Sequence, residues 1–419
     1  MDFSLAATYV VLGLIVTRWI AELALACLNR RAVLNHAKSV PEPFQDMMDS
    51  PTYAKSVQYT LAKNRLSQLK DTSSTAVLLT FLLSGVLPAL FQWWGNRFGP
   101  SVWSMAGLLF GTGVLMALPN LPWDWYAQFR LEEKFGFNTS TQRVWWMDRL
   151  KGLLISLVVG YPLLVSVLAA MAWAGSWWWF WAWVCVVAFQ LVMLMVAPVA
   201  ILPLFNKFTP LPDGPLRERL LALALRTSFP VGSVQVMDGS RRSRHSNAFF
   251  TGFGRFRKIV LFDTLVDQLN ETELEAVLAH EIGHYKEKHL FKLGTLGALA
   301  LLGGFYFLSV LARQEWFYRA FGFEADATAV ALLVFGLLAG LVTFWVGPLA
   351  NYWSRRCEYQ ADAFAARVMQ TFTPLASALR KLNRENLSNL TPPPIYSAFY
   401  YSHPTLLERE RALAVASTG

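Results

Sequence analysis

The chain is poor in charge. Asp, Glu, Lys and Arg make up only 16% of its 419 residues, against 54% hydrophobic ones. That balance excludes an ordinary water-soluble domain, whose core at this length has no use for 17 Trp and 30 Phe. Cysteine is scarcer still: Cys27, Cys185 and Cys357 show no Cys-x-x-Cys spacing. A disulfide framework and a thiolate metal knuckle are therefore excluded, and all three read as small buried hydrophobes. No internal repeat or low-complexity stretch is present, which removes solenoids and linker arrays. The net charge of +9 is scattered over loops rather than gathered into a stripe with stacking aromatics. This argues against nucleic acid as a partner and for contact with anionic lipid. Histidine is also rare, six in all, yet three of the six fall within 277–290, "VLAHEIGHYKEKHL".

What is present in abundance is apolar sequence in runs of membrane-crossing length, about 20 residues as helix. Seven such spans are expected, at 5–27, 76–94, 102–118, 153–173, 177–204, 293–311 and 327–350. The first lacks a basic start and a small-residue cleavage site, so it reads as an anchor and not as a signal peptide. Basic residues crowd the connections after the first span (Arg30, Arg31, Lys38, Lys55, Lys63, Arg65, Lys70) and after the third (Arg130, Lys134, Arg143, Arg149). By the positive-inside rule those loops are cytoplasmic, as are 205–291 and the tail after residue 351, and the amino terminus lies outside. The tryptophans at 177, 178, 179, 181 and 183 suit the outer headgroup layer. The spans carry almost no charge, which speaks against a transporter or receptor bundle.

Four regions follow. Residues 1–204 hold five membrane helices and their loops, 205–291 form a soluble catalytic insertion, 292–350 hold the last two spans, and 351–419 form cytoplasmic helices. Within the insertion, "VGSVQVMDGS" alternates as a strand, and "RRSRHSNAFFTGFGRFRKIVLF" reads as two more strands joined at Gly252 to Gly254. Asn270 with Glu273 is a capping-box signal, and the following stretch up to His289 contains nothing to break a helix.

On that helix His280 and His284 lie about 40° apart around the axis, one turn from each other, so both rings reach one point. Glu281 stands about 100° away, beside the pair. This is the His-Glu-x-x-His arrangement of zinc peptidases, in which the metal acidifies water and the glutamate takes its proton. His289 would point roughly 140° from His284 on a continuous helix, towards solvent or headgroups. A catalytic zinc needs a third protein ligand, and "NYWSRRCEYQADAFAARVM" supplies Glu358 on the same membrane face. Asp362, one turn on, can accept from the free ring nitrogen of a ligand histidine. Alone, these two acids would more simply pair with Arg355, Arg356 or Arg367. Their topological position reverses that preference.

The motifs "LEEKFGFNTST", "LPLFNKFTPL", "SNAFFTGFG", "HEIGH", "SRRCEYQADAFA" and "SHPTLLERERAL", in this order, resemble the Ste24 family of integral-membrane zinc metalloproteases, the type 1 CAAX prenyl proteases. The likeness implies a fold of seven membrane helices around a large chamber, closed by a cytoplasmic α+β gluzincin-like domain. It places one zinc per chain on His280, His284 and Glu358, the general base at Glu281, and Asp362 behind the ligands. Asn247 and Ala248 match the edge-strand pair that holds a substrate backbone by strand addition. His403 matches the histidine that steadies the oxyanion, and Arg409 a supporting arginine of the same tail. The implied enzyme is a monomeric zinc endopeptidase cutting extended or membrane-associated peptides, including CAAX-type and prenylated ones. Its expected home is a bacterial inner membrane, with the catalytic domain facing the cytoplasm. A quality-control endopeptidase of the HtpX type would use the same residues.

Overall fold

The computed structural model describes residues 3–251, 258–324 and 328–416. Six of its helices are long and apolar enough to cross a membrane: α1 (Phe3–Asn35), α4 (Val102–Phe135), α5 (Gln142–Trp173), α6 (Gly175–Phe205), α9 (His289–Leu311) and α10 (Thr328–Met369). A bent pair, α2 (Ser50–Leu83) and α3 (Val86–Phe98), inclined at 58° to each other, meets the same length and apolarity test when taken together, for up to seven spans. The span expected at 76–94 thus straddles a break. Gly85, in the left-handed region at φ 75°, starts α3 there. Its lack of a Cβ makes that conformation inexpensive. The span expected at 102–118 continues to residue 135, because its prolines and a π turn at Ala127–Glu132 deflect the helix without ending it.

The spans are also less free of charge than expected. Helix α2 begins 26 residues earlier than the apolar run and lays its polar stretch along α1, so that Arg18, Glu22 and Asp71 line one small internal cavity. Arg18 Nε donates to Glu22 Oε1 at 2.8 Å. Of the cysteines only Cys357 is buried; Cys27 lies exposed on the outward side of α1, and all three are free thiols.

The remaining elements form the body that carries the site. A four-stranded sheet has the order β1 (Phe208–Pro210), β2 (Ser233–Met237), β4 (Lys258–Phe262), β3 (Ala248–Thr251), with β2 and β4 parallel and the other pairs antiparallel. The turn expected at Gly252 to Gly254 lies outside the described residues. Helices α7 (Pro215–Arg226) and α8 (Glu271–Lys286) pack with the sheet. Leu220, Leu223, Ile259, Leu261, Leu274, Leu278 and Ile282 are all at most 2% exposed, and Val33 near the end of α1, Phe44 in the connection and Tyr53 near the start of α2 join this core. A second core, around Leu87, Ala106, Leu168, Leu308 and Val334, holds the membrane helices together. The chain closes with α11 (Thr373–Glu385), α12 (Pro394–Tyr400) and α13 (Leu406–Ala416).

Candidate active site

Helix α8 starts where the sequence signals it: Asn270 Oδ1 accepts from the Glu273 backbone N–H, and Glu273 returns the bond to Asn270 N–H, both at 2.9 Å. It lies against α10 at unusually short range. A Cβ on Gly283 would sit 2.9 Å from Ala361 Cα and 3.1 Å from the Ala361 carbonyl oxygen, a distance no other residue tolerates without backbone movement. That approach brings the histidine turn of one helix onto the carboxylates of the other.

Three side-chain atoms then converge. His280 Nε2 and His284 Nε2 are 3.2 Å apart, and each is 3.3 to 3.4 Å from an oxygen of Glu358. No other group of three or more metal-ligating side chains comes together among the described residues. Glu358 is 4% exposed, and its Oε2 has no hydrogen-bond partner, an orphaned lone pair that burial would normally forbid.

The far side of each ring explains its orientation. His280 Nδ1 donates to Asp362 Oδ1 at 2.8 Å, and Asp362 is in turn clamped by Arg409, whose Nε donates to Oδ2 at 2.8 Å and Nη2 to Oδ1 at 2.5 Å. Burial alone would lower the His280 pKa, but Asp362 and Glu358 outweigh it and raise it to about 9, so positive charge is favoured at this point. His284 is backed differently. Gln360 Oε1 lies 2.8 Å from His289 Nε2, which must therefore carry a proton; His289 Nδ1 is left as an acceptor for His284 Nδ1–H at 3.0 Å. Both histidines thus direct Nδ1 to the groups behind them and Nε2 towards each other and towards Glu358. The carboxylates favour positive charge between these nitrogens, and a metal cation in place of the Nε2 proton would supply it.

His289 is thereby corrected from solvent or headgroup histidine to a buried one, 2% exposed. Helix α8 stops at Lys286, Lys288 turns left-handed at φ 55°, and His289 opens α9, so angular counting along one helix does not apply to it. Among the described residues Glu358 and Asp362 do not pair with Arg355, Arg356 or Arg367; Arg355 bonds Glu408 through both carboxylate oxygens at 2.6 Å, and the arginine that holds Asp362 is Arg409 of the tail. Gly283, His289 and Gln360 escaped the sequence reading. The glycine inside "HEIGH" was the one visible signal among them.

Glu281 stands beside the pair, and burial raises its pKa above the usual carboxylate value, offset in part by the two histidines. His403 Nε2 is 3.4 Å from Glu358 Oε1, so the tail histidine does reach the cluster. Its side chain is 64% exposed, yet desolvation by the surrounding protein lowers its pKa below the usual imidazole value. His403 lines a cavity of about 790 Å³ together with Tyr59, Lys63, His245, Tyr401 and Arg409. Strand β3 forms the edge of the sheet, with Asn247 just before it and Ala248 at its start; the Asn247 carbonyl is tied to Phe262 N–H at 3.1 Å.

The "LEEKFGFNTST" segment buttresses this wall. Asn138 bridges to Ser243, Arg244 N–H donates to the Phe137 carbonyl at 3.0 Å, and the Phe137 ring stacks on His245 at 4.3 Å. Glu132 accepts from Tyr59 OH at 2.7 Å and lies 3.3 Å from His245 Nε2, a contact that raises the His245 pKa. His245 is thus a bonded wall residue of the cavity.

Comparison with known proteins agrees with this geometry. Residues 29–207 match the family described as CAAX prenyl protease N-terminal, five membrane helices, and residues 210–416 match Peptidase family M48. The chain is 35% identical over 412 residues to CAAX prenyl protease 1 of Saccharomyces cerevisiae, covering 90% of this chain and 89% of that one. It is 33% identical to the human CAAX prenyl protease 1 homolog, covering 92% and 90%. The crystal structure of S. mikatae Ste24p superposes with a TM-score of 0.90 at 32% identity over 97% of this chain and 98% of that one. With both family models matched end to end and relatives alike along nine-tenths of its length, the chain belongs to the M48 peptidases and is a multi-pass membrane metalloendopeptidase of that family.

Proposed function

We propose that the protein is a zinc endopeptidase that cuts near the carboxyl end of CAAX-type, prenylated membrane substrates, with His280, His284 and Glu358 as the ligands. One observation carries the metal assignment: the two Nε2 atoms stand 3.2 Å apart, each is 3.3 to 3.4 Å from one of the two oxygens of Glu358, and Glu358 Oε2 is buried without a hydrogen-bond partner. Bonds of about 2.0–2.1 Å from a tetrahedral ion give ligand edges of roughly 3.3–3.4 Å, and two imidazoles with one carboxylate leave a fourth position open, as in catalytic zinc sites. When bound, zinc supplies Lewis acidity and lowers the pKa of water.

The chain's own groups do the rest. Glu281 takes a proton from water at its carboxylate and returns it to the leaving amine. Its burial supports that role, since an elevated pKa brings a carboxylate closer to the ideal for proton transfer near neutrality. His403 donates to the oxyanion as it develops. The free edge of β3, from Asn247 and Ala248 onward, binds an extended backbone as an added strand. Asp362, with Arg409 behind it, holds His280 in the tautomer that leaves Nε2 bare. The CAAX substrate class rests on the names of the relatives. The cytoplasmic placement of the site rests on the basic loops after the first and third spans. Every proposed ligand comes from one chain, which suits a monomer.

The decisive experiment pairs elemental analysis with cleavage of a farnesylated CAAX peptide. Glu281→Gln is expected to retain stoichiometric zinc while losing roughly a thousandfold or more in kcat, of the order attached to general-base and electrostatic removal. Substantial cleavage by that variant, or zinc absent from the active wild type, overturns the proposal. Equal turnover of prenylated and unprenylated peptides removes the substrate class alone.

A further inference from the structure

We infer that the protein carries a binding site for an anionic glycerophospholipid, separate from the peptidase site. A second cavity, of about 910 Å³, lies between the end of α1, the middle of α2 and the end of α4. Arg30, Arg65, Arg130 and Lys134 line it, and no carboxylate does. Among the described residues none of these four is in an ion pair. Arg130 lies over the Trp125 ring at 5.7 Å and Lys134 over the Phe135 ring at 5.6 Å, contacts that hold the cations in place without neutralising them.

The adjacent acid is already used. Asp124 binds Lys70 at 2.7 Å and Arg149 at 3.3 Å, on the neighbouring face of the same helices. Four like charges converging on one cavity repel each other, and a doubly or singly charged phosphate relieves that repulsion; arginine forks suit its oxygens in pairs.

The rest of the lining identifies the phosphate's carrier. Leu34, Leu61, Leu66, Leu69, Trp123 and Tyr126 form apolar walls that a free phosphate or a nucleotide would leave unused. Height agrees with this. Arg30 follows the apolar run of the first crossing, and Arg130 and Lys134 end the α4 crossing, so the cations sit where these helices leave the hydrocarbon. Basic pockets between membrane helices at that level take lipid headgroups, with the acyl chains running back along the leucines. The site borders the cavity lined by His403: Asn64 lines both cavities and its Nδ2 donates to the Ala26 carbonyl at 2.9 Å, tying α2 to α1.

The test uses the full-length protein in nanodiscs of equal parts phosphatidylglycerol and phosphatidylcholine. Native mass spectrometry then reads which lipid stays bound after release. Wild type is expected to retain phosphatidylglycerol over phosphatidylcholine about fivefold or more, the enrichment that engagement of even one basic residue gives. Arg65→Gln with Arg130→Gln should abolish the preference, and Arg65→Lys with Arg130→Lys should keep most of it; both are read with zinc content and thermal unfolding as folding controls. Equal retention of the two lipids by wild type, or an undiminished preference in the folded glutamine variant, overturns the inference. Displacement of the lipid by millimolar inorganic phosphate alone would also overturn it, since the apolar walls would then contribute nothing.

Discussion

The two histidines of the site share one helix, four residues apart, yet they are held from behind by opposite chemistry. His280 rests on an ionic clamp, a buried carboxylate gripped by a buried guanidinium. His284 rests on a relay of neutral groups, a second imidazole and a carboxamide. Both solutions fix the same thing, a ring with Nδ1 turned back to its partner and Nε2 turned to Glu358. They differ in cost and in strength. A carboxylate acceptor makes a charge-assisted bond roughly twice as strong as a neutral one and raises the basicity of the ring, at the expense of burying two charges. An imidazole and an amide ask for no charge burial but hold the ring less firmly. The half deepest in the protein uses the strong clamp; the half nearer the α8–α9 turn uses the relay.

The largest disturbance removes what the two halves share. Glu358→Ala deletes the carboxylate that faces both Nε2 atoms, and metal affinity should fall by well over the roughly hundredfold that outer partners are worth, measured by chelator competition. Retention of near wild-type affinity would mean that the two imidazoles suffice and that the comparison concerns only rings. Next comes Gly283→Ala, which pushes α8 away from α10 without touching a ligand. Overpacking of this kind costs about 1–3 kcal/mol in stability and, because both rings move together, it should weaken metal binding while leaving the difference between the halves unchanged. Unaltered unfolding in this variant would show that the interhelical contact yields freely.

Much of this was legible beforehand. The histidine spacing on a capped helix and the Glu358–Asp362 spacing beyond the last span are local periodic facts, and the helices put them where periodicity says. Asn270 with Glu273 fixed the start of the site helix because capping is local as well. His289 was misread for the converse reason: its position depends on a left-handed Lys288, a residue type that gives no warning of positive φ. The intramembrane cluster of Arg18, Glu22 and Asp71 was hidden because hydropathy places spans but not the long polar helix that runs alongside one. The cavity of four cations is likewise a meeting of charge from two connections, each of which alone reads as topology.

Asp362→Asn attacks the stronger half. The amide keeps one acceptor for His280 Nδ1–H but leaves Arg409, 8% exposed, without its counterion, so metal affinity should drop about 10- to 100-fold and the fold should lose stability with it. Loss of affinity with unchanged thermal unfolding would mean the clamp serves the metal alone.

The smallest expected effect separates the two halves most cleanly. His289→Ala opens the relay behind His284 and leaves every proposed ligand in place, so metal affinity should fall by no more than about tenfold, less than for Asp362→Asn, because the bond lost is neutral. The loss should be repaired in part by His289→Gln, whose side-chain oxygen can accept from His284 Nδ1–H. A void alone would be filled equally well by His289→Leu, which offers no acceptor and should not restore binding. If leucine rescues as well as glutamine, His289 is packing and the relay is incidental. If alanine costs as much as Asp362→Asn, then a neutral chain of imidazole and amide holds a ligand as firmly as a buried ion pair, and the economy argued for the deeper half fails.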